Sequence, residues 1–314
     1  MARSEAGRRQ RSRPAAAAGL GAAFCALSWY LAGKIRLEAL AVNPARAPEA
    51  RPPAVPLREV TVPGPLGPLP AWYFPGRGST FVIGVHGQNG TRGDLLGLLG
   101  IASRQGFPAL AVTYRNDPGA PRDPSGYHRY GQTEWPDLEA AVRWSLARGA
   151  RSVVLAGQSM GGGIVAAFLL NSALAPQVTR VVLDAPMLDL RATVGHQVDR
   201  FLAARVGRRL RPAARRLVTP PVAAAERIAA ARFGVDWPAL GYLRDTGWLR
   251  VPALVTHGDD DLRVPVATSV RLRRLRPDLV TLERFPGAGH LESHRTDQSR
   301  YAALVESFLA PVAP

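Results

Sequence analysis

One serine is held between glycines at a spacing typical of a sharp turn. Ser159 lies in the string V-V-L-A-G-Q-S-M-G-G-G, with Gly157 and Gly161 on either side at G-x-S-x-G spacing. The string indicates a strand, a strained turn and a helix start, and glycine is needed where the turn has no room for β-carbons. Such a turn exposes the hydroxyl, and the helix N-terminus behind it favours developing negative charge. We expect Ser159 to be a nucleophile.

Two loops further along the chain contain the residue types that would activate this serine. A serine hydroxyl is a weak nucleophile at neutral pH and needs a base that an acid orients. After one strand-like run the chain reads H-G-D-D-D-L-R-V-P, residues 257–265, and after the next it reads F-P-G-A-G-H, residues 285–290. The chain therefore supplies serine, aspartate and histidine in that order, as acyl transfer through a covalent intermediate requires.

These motifs resemble those of the α/β-hydrolase superfamily over about residues 57–309, with its cap-bearing esterase and serine-aminopeptidase-like groups as the nearest likeness. The resemblance implies an acid loop H-G-x-x-D-x-x-V-P, which places the triad acid at Asp261. The neighbouring Asp259 and Asp260 remain alternatives. The loop G-A-G-H resembles the histidine loop of the family and implies that His290 is the base, with His294 as the nearest rival.

The negative charge of a tetrahedral intermediate must be met by hydrogen-bond donors. One expected donor is the backbone N–H of Met160, directly after the nucleophile. The other is the backbone N–H of Gln88, in the string V-H-G-Q-N-G that resembles the superfamily's H-G-x motif; His86 in this motif is expected to order the loop. Tyr114 and Phe201 are candidate substrate contacts, although Tyr114 has the equally weighted alternative of fixing its loop.

The order of strand and helix patterns predicts an α/β fold. We expect an eight-stranded, mostly parallel sheet with flanking helices, whose first two strands form an antiparallel edge hairpin. The stretch 187–249 is too long for one crossover helix and predicts a helical cap insertion. Its expected helices are Leu190–Val206, Pro212–Leu217, Val222–Phe233 and Pro238–Leu243.

Composition excludes several classes of protein. The net charge is +16, but Lys34 is the only lysine, so the excess of arginine is typical of a GC-rich genome. Without an aromatic-studded basic strand, zinc-ligand set or recognition-helix pattern, we expect no nucleic-acid partner. Cys25 is the only cysteine, which excludes an internal disulfide and a thiolate metal site.

The N-terminus has the pattern of a membrane anchor. A basic segment, 1–14, precedes an uncharged run, 15–33, which is just long enough to span a bilayer, and a Pro-rich spacer, 34–56, follows before the hydrolase domain, 57–314. We expect a single-pass protein of the cell membrane, held by its N-terminal helix, with an extracytoplasmic catalytic domain. A secreted protein with a cleaved signal peptide and a cytoplasmic protein are the alternatives.

The expected function is hydrolysis of a carboxylic ester in a small-molecule or lipid-like acyl substrate, through an acyl-enzyme intermediate. This chemistry needs no metal and no organic cofactor. A peptidase or amidase using the same triad is the main alternative. Thioesterase or acyltransferase activity, or a non-enzymatic binding scaffold, ranks lower. Acyl specificity and oligomeric state do not follow from the sequence.

Overall fold

The computed structural model describes residues 19, 21–43 and 56–310. Their contacts divide the chain into two compact units. The first, here called the helical unit, holds the described residues up to Ala41 together with Val198–Asp236. The second, the sheet unit, holds the described residues of Val42–Gln197 and those from Trp237 onward. Only the central part of the predicted cap, 187–249, therefore belongs to the helical unit.

The sheet unit is built on the eight-stranded, mostly parallel sheet that the sequence predicts. Within residues 56–310 the strands are β1 (Arg58–Gly64), β2 (Gly67–Phe74), β3 (Thr80–Val85), β4 (Ala109–Val112), β5 (Ser152–Gln158), β6 (Val178–Asp184), β7 (Ala253–Gly258) and β8 (Val280–Phe285). Their order is β1-β2-β4-β3-β5-β6-β7-β8. The pairs β1/β2 and β2/β4 are antiparallel, and every other neighbouring pair is parallel. The predicted edge hairpin is therefore confirmed.

Within the described residues, the helices are α1 (residues 21–34), α2 (Leu96–Arg104), α3 (Trp135–Leu146), α4 (Met160–Asn171), α5 (Leu190–Arg205), α6 (Arg211–Phe233), α7 (Val266–Leu275), α8 (Ser293–Thr296) and α9 (Gln298–Leu309), with a π-helical segment Ile35–Leu40 after α1. Apolar side chains of α2 and α9 pack with those of the central strands in one buried cluster. Successive residues of β5 and β6 are buried, so both faces of these strands are covered, which explains the runs V-V-L-A and V-V-L-D.

The parallel arrangement decides where the candidate residues lie. The carboxyl ends of parallel strands meet at one edge of a sheet, and ligand sites form outside that edge. Ser159 follows β5 directly, Asp261 lies just beyond β7, and His290 lies just beyond β8. Three loops distant in sequence therefore converge at the same edge.

Two expectations for the cap helices are wrong. The predicted helices Pro212–Leu217 and Val222–Phe233 form one helix, α6, with Pro220 and Pro221 inside it. Each proline removes a backbone donor and crowds the carbonyl group four residues earlier, which favours a break, yet α6 continues through the pair. The predicted helix Pro238–Leu243 is a series of turns with one isolated bridge between Asp189 and Gly241.

The predicted membrane topology is also wrong. Across the described residues, no helix has the length and apolar character needed to cross a bilayer. The predicted span, 15–33, is mostly alanine and glycine, with few large apolar side chains. The basic segment, the first residues of that span and much of the Pro-rich spacer lie outside the described residues. The single-pass anchor with an external catalytic domain is therefore not supported.

Candidate active site

The turn at the end of β5 is tight and strained. Ser159 has a φ of 50° and a ψ of −116°, which residues with a side chain rarely adopt. A β-carbon at Gly161 would clash with the carbonyl oxygen of Val85, and one at Gly157 would lie 2.7 Å from the carbonyl oxygen of Gly161. Both positions therefore require glycine. The G-x-S-x-G spacing is a consequence of steric exclusion at this turn.

His290 reaches this turn from the loop after β8. Its Nε2 atom lies 3.0 Å from the Oγ atom of Ser159, within hydrogen-bond distance. The loop passes close to the end of β7, where a β-carbon at Gly258 would clash with the carbonyl oxygen of Ala288. The glycine of H-G-D-D-D is therefore needed because it lets the histidine loop pack against the acid loop.

Asp261 binds the other side of the imidazole. Its Oδ2 atom lies 2.7 Å from Nδ1 of His290, and its Oδ1 atom accepts the backbone N–H groups of Arg263 (2.7 Å) and Val264 (2.9 Å). Burial alone would raise the pKa of this carboxyl. The hydrogen bonds from His257 and His290 outweigh burial and hold the pKa well below its ordinary value. Asp261 is therefore ionised.

The alternatives that the sequence left open are placed elsewhere. The carboxylate of Asp259 forms an ion pair with Arg284, at 2.6 Å, and Asp260 is exposed. The ring of His294 packs edge-on against that of Tyr301, with the ring centroids 5.2 Å apart. The geometry thus favours Asp261 and His290 over their neighbours.

This hydrogen-bond pattern fixes the proton on His290. Because ionised Asp261 can only accept, Nδ1 of His290 must be the donor in their contact. In the neutral ring Nε2 then has a free lone pair that can accept the hydroxyl proton of Ser159. The arrangement can therefore act as a general base toward the serine and stabilise the imidazolium that results.

Both predicted oxyanion donors adjoin the nucleophile. Met160 is the first residue of α4, where N–H groups have no acceptor within the helix. The loop after β3 passes so near that a β-carbon at Gly87 would lie 3.1 Å from Cβ of Ser159. Gln88 follows, and its Oε1 atom accepts the hydroxyl of Tyr130 at 3.0 Å, which restrains this loop.

Of the two alternatives for Tyr114, contacting substrate or fixing its loop, the geometry favours the second. It is 1% exposed, and its hydroxyl donates to the carbonyl oxygen of Gly87 at 2.9 Å. Its ring stacks on His86, with centroids 4.6 Å apart. His86 is itself fully buried and lies 2.9 Å from Asp117, so it orders the loop as expected. Tyr114 and His86 together support the loop that carries Gln88.

Phe201 lies on α5 in the helical unit. Its ring is 54% exposed, and the Arg205 guanidinium lies 4.0 Å from its centroid. The predicted contact between Phe201 and substrate stays a prediction.

Two buried polar residues beside the site are not assigned by the sequence. Asp184, the last residue of β6, accepts hydrogen bonds from Thr256 (3.0 Å) and Ser293 (3.3 Å), and burial raises the pKa of its carboxyl to about 6. His257 contacts Asp261 at 3.2 Å. The only signal for His257 was its position at the head of the acid-loop motif, and Asp184 could have been suspected as a charge that ends an apolar strand.

Comparison with known proteins agrees with this geometry. The model of the alpha/beta hydrolase family matches residues 82–304. No curated protein sequence matches the chain significantly.

Solved structures share the fold. The Pyrococcus furiosus esterase Pf2001 has a TM-score of 0.62 at 19% identity, over 86% of this chain and 96% of its own. A thermophilic esterase from Thermogutta terrifontis has a TM-score of 0.55 at 20% identity, over 80% and 98%. XC6422 from Xanthomonas campestris, described as an α/β serine hydrolase without a lid, has a TM-score of 0.54 at 18% identity, over 84% and 100%. Because the family model matches more than half of its length, the chain belongs to the alpha/beta hydrolase family and is a hydrolase.

Proposed function

We propose that the chain is a serine hydrolase that cleaves carboxylic esters through a triad of Ser159, His290 and Asp261. The observation that carries the proposal is the continuous hydrogen-bond path from Oγ of Ser159 to Nε2 of His290 (3.0 Å) and from Nδ1 to Asp261 (2.7 Å). The path ends at a serine whose strained turn is enforced by two obligatory glycines. It is the arrangement that activates a hydroxyl for acyl transfer.

The proposed reaction has two steps. His290 takes the hydroxyl proton as Ser159 attacks the ester carbonyl, and the backbone N–H groups of Met160 and Gln88 stabilise the resulting oxyanion. The imidazolium gives that proton to the departing alcohol, which leaves an acyl-serine. Water then loses a proton to His290 and attacks the acyl carbonyl, and the imidazolium returns that proton to Oγ of Ser159 as the carboxylic acid is released. Asp261 stays ionised throughout and stabilises each imidazolium.

Esters are the favoured substrate class. Two of the similar structures are described as esterases. The proposed substrate is a small-molecule or lipid-like acyl ester, and an amide or peptide is the alternative for the same triad.

A substrate panel tests the proposal. Wild type and Ser159→Ala should be compared on p-nitrophenyl esters of increasing acyl length, acyl thioesters and aminoacyl amides. We expect the highest kcat/KM on an ester, and loss of that activity in the variant. A preference for the amides would replace the ester assignment with the peptidase alternative. Equal activity of wild type and variant would overturn the triad itself.

A further inference from the structure

A second histidine contacts the same carboxylate oxygen of the proposed triad acid as His290 does. His257, at the end of β7, is fully buried. Its Nε2 atom lies 3.2 Å from Oδ2 of Asp261 and 3.1 Å from the carbonyl oxygen of Val264. Its Nδ1 atom lies 2.8 Å from Oγ of Ser269 on α7. The mechanism proposed above gives His257 and Ser269 no role.

The neighbours of His257 decide where its proton lies. Nε2 faces two oxygen atoms, a carboxylate and a carbonyl, and both can only accept. If the proton were on Nδ1, the Nε2 lone pair would face these acceptors inside the protein, at the cost of an unsatisfied buried contact. The proton is therefore on Nε2. Nδ1 then accepts, and the hydroxyl of Ser269 is its donor.

With this tautomer, both oxygens of the Asp261 carboxylate face donors. Oδ1 accepts the backbone N–H groups of Arg263 and Val264, and Oδ2 accepts from Nδ1 of His290. The N–H of His257 donates to the carbonyl oxygen of Val264 and also faces Oδ2, which lies 3.2 Å from Nε2. The carboxyl group cannot rotate about its bond to Cβ without losing several of these contacts. Its charge is also shared between two imidazole rings.

We propose that His257 and Ser269 are positioning residues that hold Asp261 in the orientation His290 needs. Ser269 fixes the tautomer of His257, and His257 fixes the rotation of the carboxylate and withdraws part of its charge. The inference rests on the proposed triad. It extends the path to five side chains, from Ser269 through His257, Asp261 and His290 to Ser159.

Asp184, on the neighbouring strand β6, also faces this path and interacts electrostatically with both His257 and His290. On the acid loop, Asp259 is engaged with Arg284, and Asp260 is exposed. When the N–H of His257 is removed, it no longer offsets the negative charge of Asp261, and this charge acts more strongly on His290. The form of the enzyme with a protonated His290 is then stabilised, so the acidic limb of kcat/KM should move to higher pH.

The test uses three variants of the full chain. Ser269→Ala removes the donor to Nδ1, His257→Leu removes the donor to Asp261, and His257→Gln keeps an N–H near the position of Nε2. Thr268→Ala is the matched control, because the adjacent Thr268 hydroxyl bonds the carbonyl oxygen of Pro265 and does not contact His257. For each variant, the pH profiles of kcat and kcat/KM are measured on the best ester, with active sites titrated by a fluorophosphonate.

We expect Ser269→Ala and His257→Leu to lower kcat per titrated site, by about threefold and at least tenfold respectively, with little change in KM. Both should move the acidic limb to higher pH, while His257→Gln restores most of kcat and Thr268→Ala matches wild type. A fall in kcat without a shift of the limb, or an equal effect of Thr268→Ala, overturns the inference. If His257→Leu does not fold, Ser269→Ala decides alone. Residual activity of Ser159→Ala equal to wild type would instead overturn the triad.

Discussion

The backbone N–H of Ser159 donates to the carbonyl oxygen of Asp184 at 3.0 Å, which fastens the strained turn to the end of β6. The carbonyl oxygen of Ser159 in turn accepts the N–H groups of Gly162 and Met187, each at 2.9 Å. A conformation this uncommon persists only where the surroundings over-determine it. Three backbone hydrogen bonds do so here, two of them with the segment 184–187 at the end of β6, so the hydroxyl is presented before any substrate binds.

The first prediction concerns the nucleophile. A fluorophosphonate should label wild type covalently at Ser159, because this hydroxyl lies beside Nε2 of His290 at an elbow turn. Ser159→Ala should lose the label and lower kcat by about 10⁴-fold or more. The oxyanion donors should still support a low residual activity. Intact-mass spectrometry of both proteins checks the labelling. A label that persists in the variant would assign the nucleophile to another residue.

The second prediction concerns the acid. Asp261→Asn should lower kcat by about 10⁴-fold while the fold is retained, because the amide no longer enforces the Nδ1–H tautomer of His290. Asp260→Asn is the matched control, since this neighbour is exposed, and it should cost little. Steady-state kinetics of the two variants, with circular dichroism to check folding, separates them. If Asp260→Asn were inactive and Asp261→Asn active, the assignment of Asp261 as the triad acid would be wrong.

The third prediction compares two glycines in helices. Gly161→Ala should lower the free energy of unfolding by about 3 kcal/mol or more, because its β-carbon would clash with the carbonyl oxygen of Val85. Gly100→Ala in α2 should instead raise it by about 0.5–1 kcal/mol, since its nearest neighbour, Nη1 of Arg104, is 3.7 Å away. Urea unfolding curves measure both changes. Equal effects would contradict the steric account of the elbow.

The fourth prediction concerns pH. Burial raises the pKa of Asp184 to about 6 in the folded chain, above the unfolded value of 3.8. The folded state then holds the proton of Asp184 more tightly than the unfolded state does. The protonated carboxyl group therefore contributes its full stability below the pKa of the unfolded state, and this contribution is lost as pH rises through the pKa of the folded state. Asp184→Asn stays neutral and keeps an oxygen for Thr256 and Ser293.

Asp184→Asn should therefore raise the free energy of unfolding at pH 8 by an amount on the order of 2–3 kcal/mol, and raise Tm with it. Both gains should disappear toward pH 4. Thermal denaturation at both pH values measures this difference. Asp260→Asn, at an exposed position, should show no such trend. A variant less stable than wild type at pH 8 would mean that the charged form of Asp184 is favoured in the fold.

The strands and the candidate triad could be predicted because their signals are local. Continuous apolar runs, typical of strands that are buried on both faces, identify β5 and β6. Glycine is required on either side of Ser159 because a β-carbon there would clash with neighbouring atoms. Asp261 needed the family resemblance, because three adjacent aspartates are equivalent by type. Only the fold shows that Asp259 is engaged with Arg284 while Asp261 contacts His290.

The remaining features depend on tertiary context. The pair Pro220-Pro221 predicts a helix break, but α6 continues through it. Tyr114 looks available as a pocket residue until its ring is seen stacked on His86. The sequence places His257 at the head of the acid-loop motif, but its proposed role depends on Ser269 and Asp261, which separate elements bring to its two ring nitrogens.

The strand order also means that the proposed base is the last part of the triad to be made. Strands β5, β6, β7 and β8 are neighbours in the same order in which the ribosome produces them, and His290 follows β8, 131 residues after Ser159. Because domains fold as units, a chain cut short before His290 would lack both the complete sheet and the base, and it would be inactive toward esters.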